Sequence, residues 1–271
     1  MAYDIITGRN ISDKKDFEKK GLAYIGKGFV KMGQYTSLSN KIFMDVVRSH
    51  VILVAGKRGS GKSYTLGVVA EELSNLPKEV SQNIASLIFD TMGIYWTMKY
   101  PNEKDRNLLQ EWDLKPKSLK TKVYIPYGHF DKYIQKGIPG DEKFALDISE
   151  MTPEDWVLTF GLDIINPIAV LIERTITKLK EEKNYDIEEI ISEIEKDNRT
   201  EREIKNAAIG LFEAANTWGI FSKKGIEPTK ITDLINAGTT TVLDLSVYNS
   251  VGSFNVRALV ISLVSRKLFN Q

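Results

Sequence analysis

Eight residues carry the clearest chemistry in this chain: Gly56-Lys57-Arg58-Gly59-Ser60-Gly61-Lys62-Ser63, which fits G-x-x-x-x-G-K-[ST]. A loop of this kind wraps a phosphate with successive backbone N–H groups pointing inward, and side chains at the glycine positions would block the approach. The helix expected to follow, from about Lys62 to Leu73, turns its unsatisfied N–H groups and positive dipole end to the same phosphate. Lys62 then reaches the β- and γ-phosphates, the Ser63 hydroxyl is the expected Mg²⁺ ligand, and Tyr64 closes the nucleotide-binding stretch. Arg58 can face the nucleotide, a neighbouring subunit or solvent. The bland alternative is a glycine-rich surface turn, but the apolar run VILVA at 51–55 supplies the preceding strand that the motif requires. A guanine reader would need Asn-Lys-x-Asp, and Asn40-Lys41-Ile42-Phe43 lacks the acid. ATP is therefore the expected nucleotide.

Two acids end apolar runs. Asp90 closes ASLIFD at 85–90, where a carboxylate beside a phosphate loop can sit near the metal or the attacking water; a turn or N-cap carboxylate is the alternative. Asp90 is taken as the catalytic candidate. Asp244, in TTTVLDLS at 239–246, ends a similar run but has no following Glu to orient a water. His50 reads as a strand-edge residue and His129 as a loop residue, while the four tryptophans read as packing.

The elements that must position these residues follow from the apolar pattern. VILVA, ASLIFD, KVYIP at 122–126 and TTTVLDLS are apolar almost throughout, as strands of a parallel sheet covered on both faces are. Between the third and fourth runs the start signals are helical: Thr152-Pro153-Glu154-Asp155, Asn166-Pro167, and the acceptor-x-x-Glu boxes Asp186/Glu189 and Thr200/Glu203. The charge run at 178–205 alternates in sign, so it reads as the solvated face of those helices, not a DNA-binding stripe. The expected layout is an N-terminal, partly β extension at 1–49, a P-loop core at 50–149, an α-helical insertion at 150–222 and a return to the core at 223–271. The fold class is α/β, a mostly parallel sheet with a helical insertion.

Composition removes several functions. There is no cysteine and only two histidines, which excludes disulfides, thiolate chemistry and a histidine-rich metal site. No apolar run approaches the ~20 residues that span a bilayer, and the chain is expected in the cytoplasm. A net charge of +1 means that nucleic-acid binding would need a local basic patch.

The run FMDVVRSHVILVAGKRGSGKSYTLGVVAEEL, followed by LIFDTMGIYW, DISEMTPEDW and TTTVLDLSVYNSVGSFNVRALVISLVSRKLF, resembles the HerA group of the HerA/FtsK ATPases over roughly residues 24–271. The resemblance implies a RecA-like core, ATP and Mg²⁺ as cofactors, and hydrolysis coupled to movement of double-stranded DNA. It further implies a hexameric homo-oligomer, a possible nuclease partner and no membrane association. Asp90 matches the family's acid after the P-loop helix. The family's strand ending Asp-Glu has no counterpart here, so the chain is expected to be the front part of a longer protein and to hydrolyse ATP poorly. Three readings stay open: a HerA-type motor subunit, an ATP-binding regulatory or interaction module without turnover, and a P-loop enzyme of another kind.

Overall fold

The computed structural model describes residues 3–182, 185–249 and 255–270; residues 250–254 of the resemblance lie outside the described residues. In chain order the elements are β1 (Ile5–Thr7), α1 (Ile11–Phe17), β2 (Leu22–Met32), β3 (Tyr35–Asp45), α2 (Lys62–Asn75), α3 (Lys78–Ser81) and β4 (Ser86–Asp90). Then follow α4 (Arg106–Glu111), β5 (Thr121–Pro126), α5 (Phe130–Gln135), β6 (Glu142–Phe144), α6 (Pro153–Thr159), α7 (Pro167–Glu182) and α8 (Ile187–Lys196). The last are α9 (Arg202–Asn216), α10 (Ile231–Leu234), β7 (Thr240–Asp244) and α11 (Val256–Phe269). They divide into two compact units: Met1–Ser86 with Thr97–Thr121 and Ile235–Thr240, and Leu87–Trp96 with Lys122–Leu234 and Thr241–Gln271.

The first unit is built on a three-stranded sheet of order β1-β3-β2. β2 and β3 form an antiparallel hairpin closed at Met32 and Tyr35 by the two-residue turn Gly33-Gln34. Gly33 has φ +63°, the left-handed value that the first central position of such a turn demands. The register shifts between Tyr24 and Gly26 and again between Lys27 and Phe29, so the glycine-punctuated stretch YIGKGF is bulged rather than strictly alternating. Arg9 ties the sheet to the chain before it. Its buried guanidinium pairs with Asp45 and donates to the carbonyls of Glu18 and Lys20, both at 2.7 Å.

One expectation fails in this unit. VILVA does not form a strand: Val51 and Leu53 are 103% and 89% exposed, and no described residue pairs with the backbone of 51–55. An apolar sequence supplies side chains for both faces of a sheet, but only neighbouring strands supply the hydrogen-bond ladder. No described segment does so here.

The second unit holds a four-stranded sheet of order β4-β7-β5-β6. β5 and β6 pair in parallel, Tyr124 with Glu142 through Pro126 with Phe144. β4 and β7 also run together, since Ser86 N–H donates to the Thr239 carbonyl at one end and Leu245 N–H to Asp90 at the other. β7 is buried along its length, as its unbroken apolar pattern requires. Four helices, α6 to α9, follow β6 within the same unit. Thr152 and Asp186 each close a capping box, with Asp155 and Glu189 as the reciprocal partners. Thr200 does not: α9 starts at Arg202, and the Thr200 hydroxyl accepts from Arg174 at 2.8 Å instead. That competing cation outbids a local backbone cap. The core centres on Trp156, fully buried and stacked on Phe160, with Phe212 edge-on at 4.9 Å between centroids. Arg174–Asp197 and Lys178–Glu193 pairs carry the charge run along the outer face, while Ile187, Ile190 and Ile194 point inward.

Candidate functional site

The phosphate loop lies in the first unit. Gly56–Gly61 is exposed and leads into α2, whose N-cap is Gly61 with φ +87°. Gly59 is also left-handed at φ +80°, and a side chain at Gly56 would run into Ser60. Positions 59 and 61 therefore take only glycine without backbone strain, while a side chain at 56 would require Ser60 to turn aside. Ser60 N–H donates to the Lys57 carbonyl at 3.2 Å, and Lys62 Nζ folds back to donate to the same carbonyl at 2.8 Å. Thr65 N–H already donates to Gly61, closing the first turn of α2. No acidic residue sits in that turn, so the positive end of a 14-residue helix is left uncancelled. Arg58 and Tyr64 are exposed, and Ser63 lies in the first turn beside Lys62. The uncancelled helix N-terminus, with Lys62 in its first turn and exposed Lys57 and Arg58 in the loop before it, can receive a chain of phosphates.

Sequence reasoning did not find a neighbouring feature of the same unit. An apolar cavity of about 830 Å³ is lined by Tyr24, His50, Val54, Tyr64, Val68 and Trp112, among others. His50, expected at a strand edge, contacts Asp45 Oδ2 through Nε2 at 3.2 Å. Burial pushes the Asp45 carboxyl up, but its bonds to Arg9 and His50 outweigh this and hold it below the usual range. Glu71, also on the cavity wall, is pushed up by burial.

The acids lie in the second unit, at the carboxyl ends of β4 and β7. Asp90 is fully buried. Its Oδ1 accepts the N–H groups of Met92 and Gly93 at 2.9 and 2.8 Å, and its Oδ2 those of Ile94 and Tyr95 at 2.7 and 2.8 Å. Four donors on one carboxylate give the geometry of a turn cap: Asp90 shapes loop 91–95. Asp244 is 1% exposed; its Oδ1 accepts Ser246 N–H at 2.9 Å, and its Oδ2 is buried with no hydrogen-bond partner among the described residues. Burial pushes its carboxyl up; hydrogen bonds from Ser246 work against the rise, and the charge of Asp90 adds a smaller push upward. His129 sits in a turn after β5, bonded through Nε2 to the Trp218 carbonyl at 3.1 Å, and burial lowers its pKa.

No group of three or more His, Asp or Glu side chains that could cage a metal occurs among the described residues.

A glycine loop opening a helix, together with a parallel, helix-flanked sheet, defines a P-loop nucleotide-binding α/β protein. The family of the HerA helicase central domain matches residues 30–268, most of the chain. The chain belongs to that family, and is a HerA/FtsK-type P-loop ATPase domain. A search of curated proteins finds no match. No helix of the described residues is long and apolar enough to cross a membrane.

Proposed function

We propose that this chain is the ATP-binding domain of a cytoplasmic HerA-like motor that couples ATP hydrolysis to translocation of double-stranded DNA. The observation that carries this reading is the Gly56–Ser63 loop set on the uncancelled N-terminus of α2, in a chain of this family. In that role backbone N–H groups of the loop, with that of Ser60 held by the Lys57 carbonyl, receive the phosphates, Lys62 swings from the same carbonyl to neutralise phosphate charge, and Ser63 ligates Mg²⁺. When bound, Mg²⁺ neutralises charge on the phosphate oxygens. Asp90 acts at its strand edge through the loop that it caps. A ring of identical subunits gathers weak basic contacts around the duplex, and a nuclease is the fitting partner for end processing. Turnover by these residues alone is weak in this reading, because no apolar strand ending in Asp-Glu occurs in the sequence.

The test is DNA binding and DNA-stimulated phosphate release at low and high salt. With a net charge of +1, single subunits should bind duplex weakly and lose it steeply as salt rises. Tight, salt-insensitive duplex binding by a single subunit contradicts the ring reading. Nucleotide binding without any DNA response would favour the regulatory module.

A further inference from the structure

A near-neutral chain holds nucleic acid only through a local basic patch, and the β2–β3 hairpin of the first unit supplies one. From Leu22 to Met44 it carries Lys27, Lys31 and Lys41 and no carboxylate. Its two halves differ. At the base, Ala23 and Met44 are buried, and β3 pairs with β1 through Ile42, Phe43 and Met44. Beyond the register shift between Lys27 and Phe29, β2 and β3 pair only with each other among the described residues. Both faces of this outer half are open. Cross-strand partners share a face, which puts Phe29, Leu38, Lys31 and Thr36 on one side and Val30, Ser37 and Tyr35 on the other. Phe29 is 68% exposed and Tyr35 80%, and Val30, Lys31, Gln34, Thr36 and Leu38 are exposed as well.

A two-stranded ribbon has no interior, so large apolar side chains held in water on both of its faces mark a surface that a partner covers. The chemistry of the ribbon selects that partner. Lysines without any carboxylate suit a polyanion, and the amide and hydroxyl side chains of Gln34, Thr36, Ser37 and Asn40 suit the donors and acceptors of base edges. Its shape narrows the choice further. The major groove of duplex DNA admits a two-stranded ribbon and encloses it from both sides, whereas stacking of unpaired bases calls for aromatic side chains gathered on one platform. Lys27 is already committed, 4.0 Å from Asp113 and over the Trp112 ring. Lys31 is exposed, and Lys41 is exposed with its stem folded so that Nζ stands 5.8 Å from the Tyr24 ring. We propose that residues 28–41 of the hairpin are a duplex-DNA contact that enters the major groove, with Phe29 and Tyr35 against apolar base edges and Lys31 and Lys41 on phosphates. This rests on the DNA reading above and names the element that makes the contact. A second acid-free lysine run, Lys115, Lys117 and Lys120, has no large exposed apolar side chain among its residues and serves as the comparison.

The experiment titrates the full chain into a fluorescently labelled duplex, and into one of its strands alone, from low to moderate salt. Wild type is compared with Lys31→Ala/Lys41→Ala, with Phe29→Ala/Tyr35→Ala and with Lys115→Ala/Lys117→Ala/Lys120→Ala, each checked for an unchanged circular-dichroism melting curve. Wild type should prefer the duplex, and the logarithm of its affinity should fall against that of salt with a slope of about −2, ~0.9 for each free lysine. The double lysine variant should lose most of that slope. The aromatic variant should keep the slope and bind about tenfold more weakly, because two side chains no longer leave water. The 115–120 variant should bind like wild type. A duplex with 5-iodouracil in place of thymine, its iodine in the major groove, gives a readout independent of affinity: irradiation should link it to Phe29 or Tyr35, located by mass spectrometry. Duplex binding that both hairpin variants retain, or crosslinks confined to other segments, overturns the proposal and leaves the DNA reading intact. Tighter binding of the single strand overturns the groove assignment. If wild type binds neither DNA at low salt, both readings fall.

Discussion

Replacing Asp90 by alanine removes one acceptor from four donors at once. The N–H groups of Met92, Gly93, Ile94 and Tyr95 all point at its two oxygens over 2.7–2.9 Å, and the carboxylate is fully buried. A hydrogen bond to a charged group contributes roughly 1.5–3 kcal/mol net, and a buried donor left unmade costs ~1–3 kcal/mol. Four bonds to one group do not add, and the half-exposed amides of the loop recover water, so the expected loss is about 3–5 kcal/mol. That is a large share of the ~5–15 kcal/mol by which domains are stable. Urea unfolding at pH 7 reads the loss, and Trp96 supplies a local reporter because its Nε1–H donates to the Gly93 carbonyl at 3.0 Å. Hydrogen exchange should show amides 92–95 slow in the wild type and fast in Asp90→Ala. An unchanged midpoint with equally slow amides would refute the capping role.

Two further outcomes follow from the second unit. Gly128→Ala should destabilise by about 1–3 kcal/mol, because the new Cβ would stand 2.6 Å from the Gly219 backbone, which accepts the Gly128 N–H at 2.9 Å; thermal unfolding checks it, and a tolerated alanine contradicts the close approach. For Asp155, burial raises the carboxyl but its bonds to Arg266 and to Thr152 outweigh this and lower it, so its contribution is full above about pH 3.8 and lost as pH falls below. Arg266→Met should cost about 1 kcal/mol at pH 7 for this partly exposed pair and shift the acid limb of the stability profile upward; an unmoved acid limb contradicts the pairing.

The parts of the molecule legible in the sequence are those decided locally. The phosphate loop and α2 follow from glycine positions and helix-start chemistry within ten residues, and the Thr152 and Asp186 caps from a spacing of three. The Thr200 box fails because Arg174, distant in sequence, captures the hydroxyl. VILVA fails for a related reason: its residues satisfy strand patterning, but pairing is a property of other segments. The acids divide the same way. Nothing in SLIFD or TVLDLS shows that one carboxylate would be filled by four amides and the other would keep an oxygen with no hydrogen-bond partner among the described residues, since loops 91–95 and 245–249 lie outside those runs. The apolar cavity beside α2, walled by residues from Thr7 to Leu114, has no sequence signature at all.

The central claim is that Gly56–Ser63 holds nucleotide phosphates, and calorimetric titration of Mg²⁺-ATP into the wild-type chain and into Lys62→Ala tests it most directly. The wild type should bind one equivalent saturably. Loss of the ammonium leaves phosphate charge uncompensated, a few kcal/mol in a site of this kind, so affinity should fall on the order of 100-fold or more. Equal affinity in the two proteins would contradict the assignment of the loop.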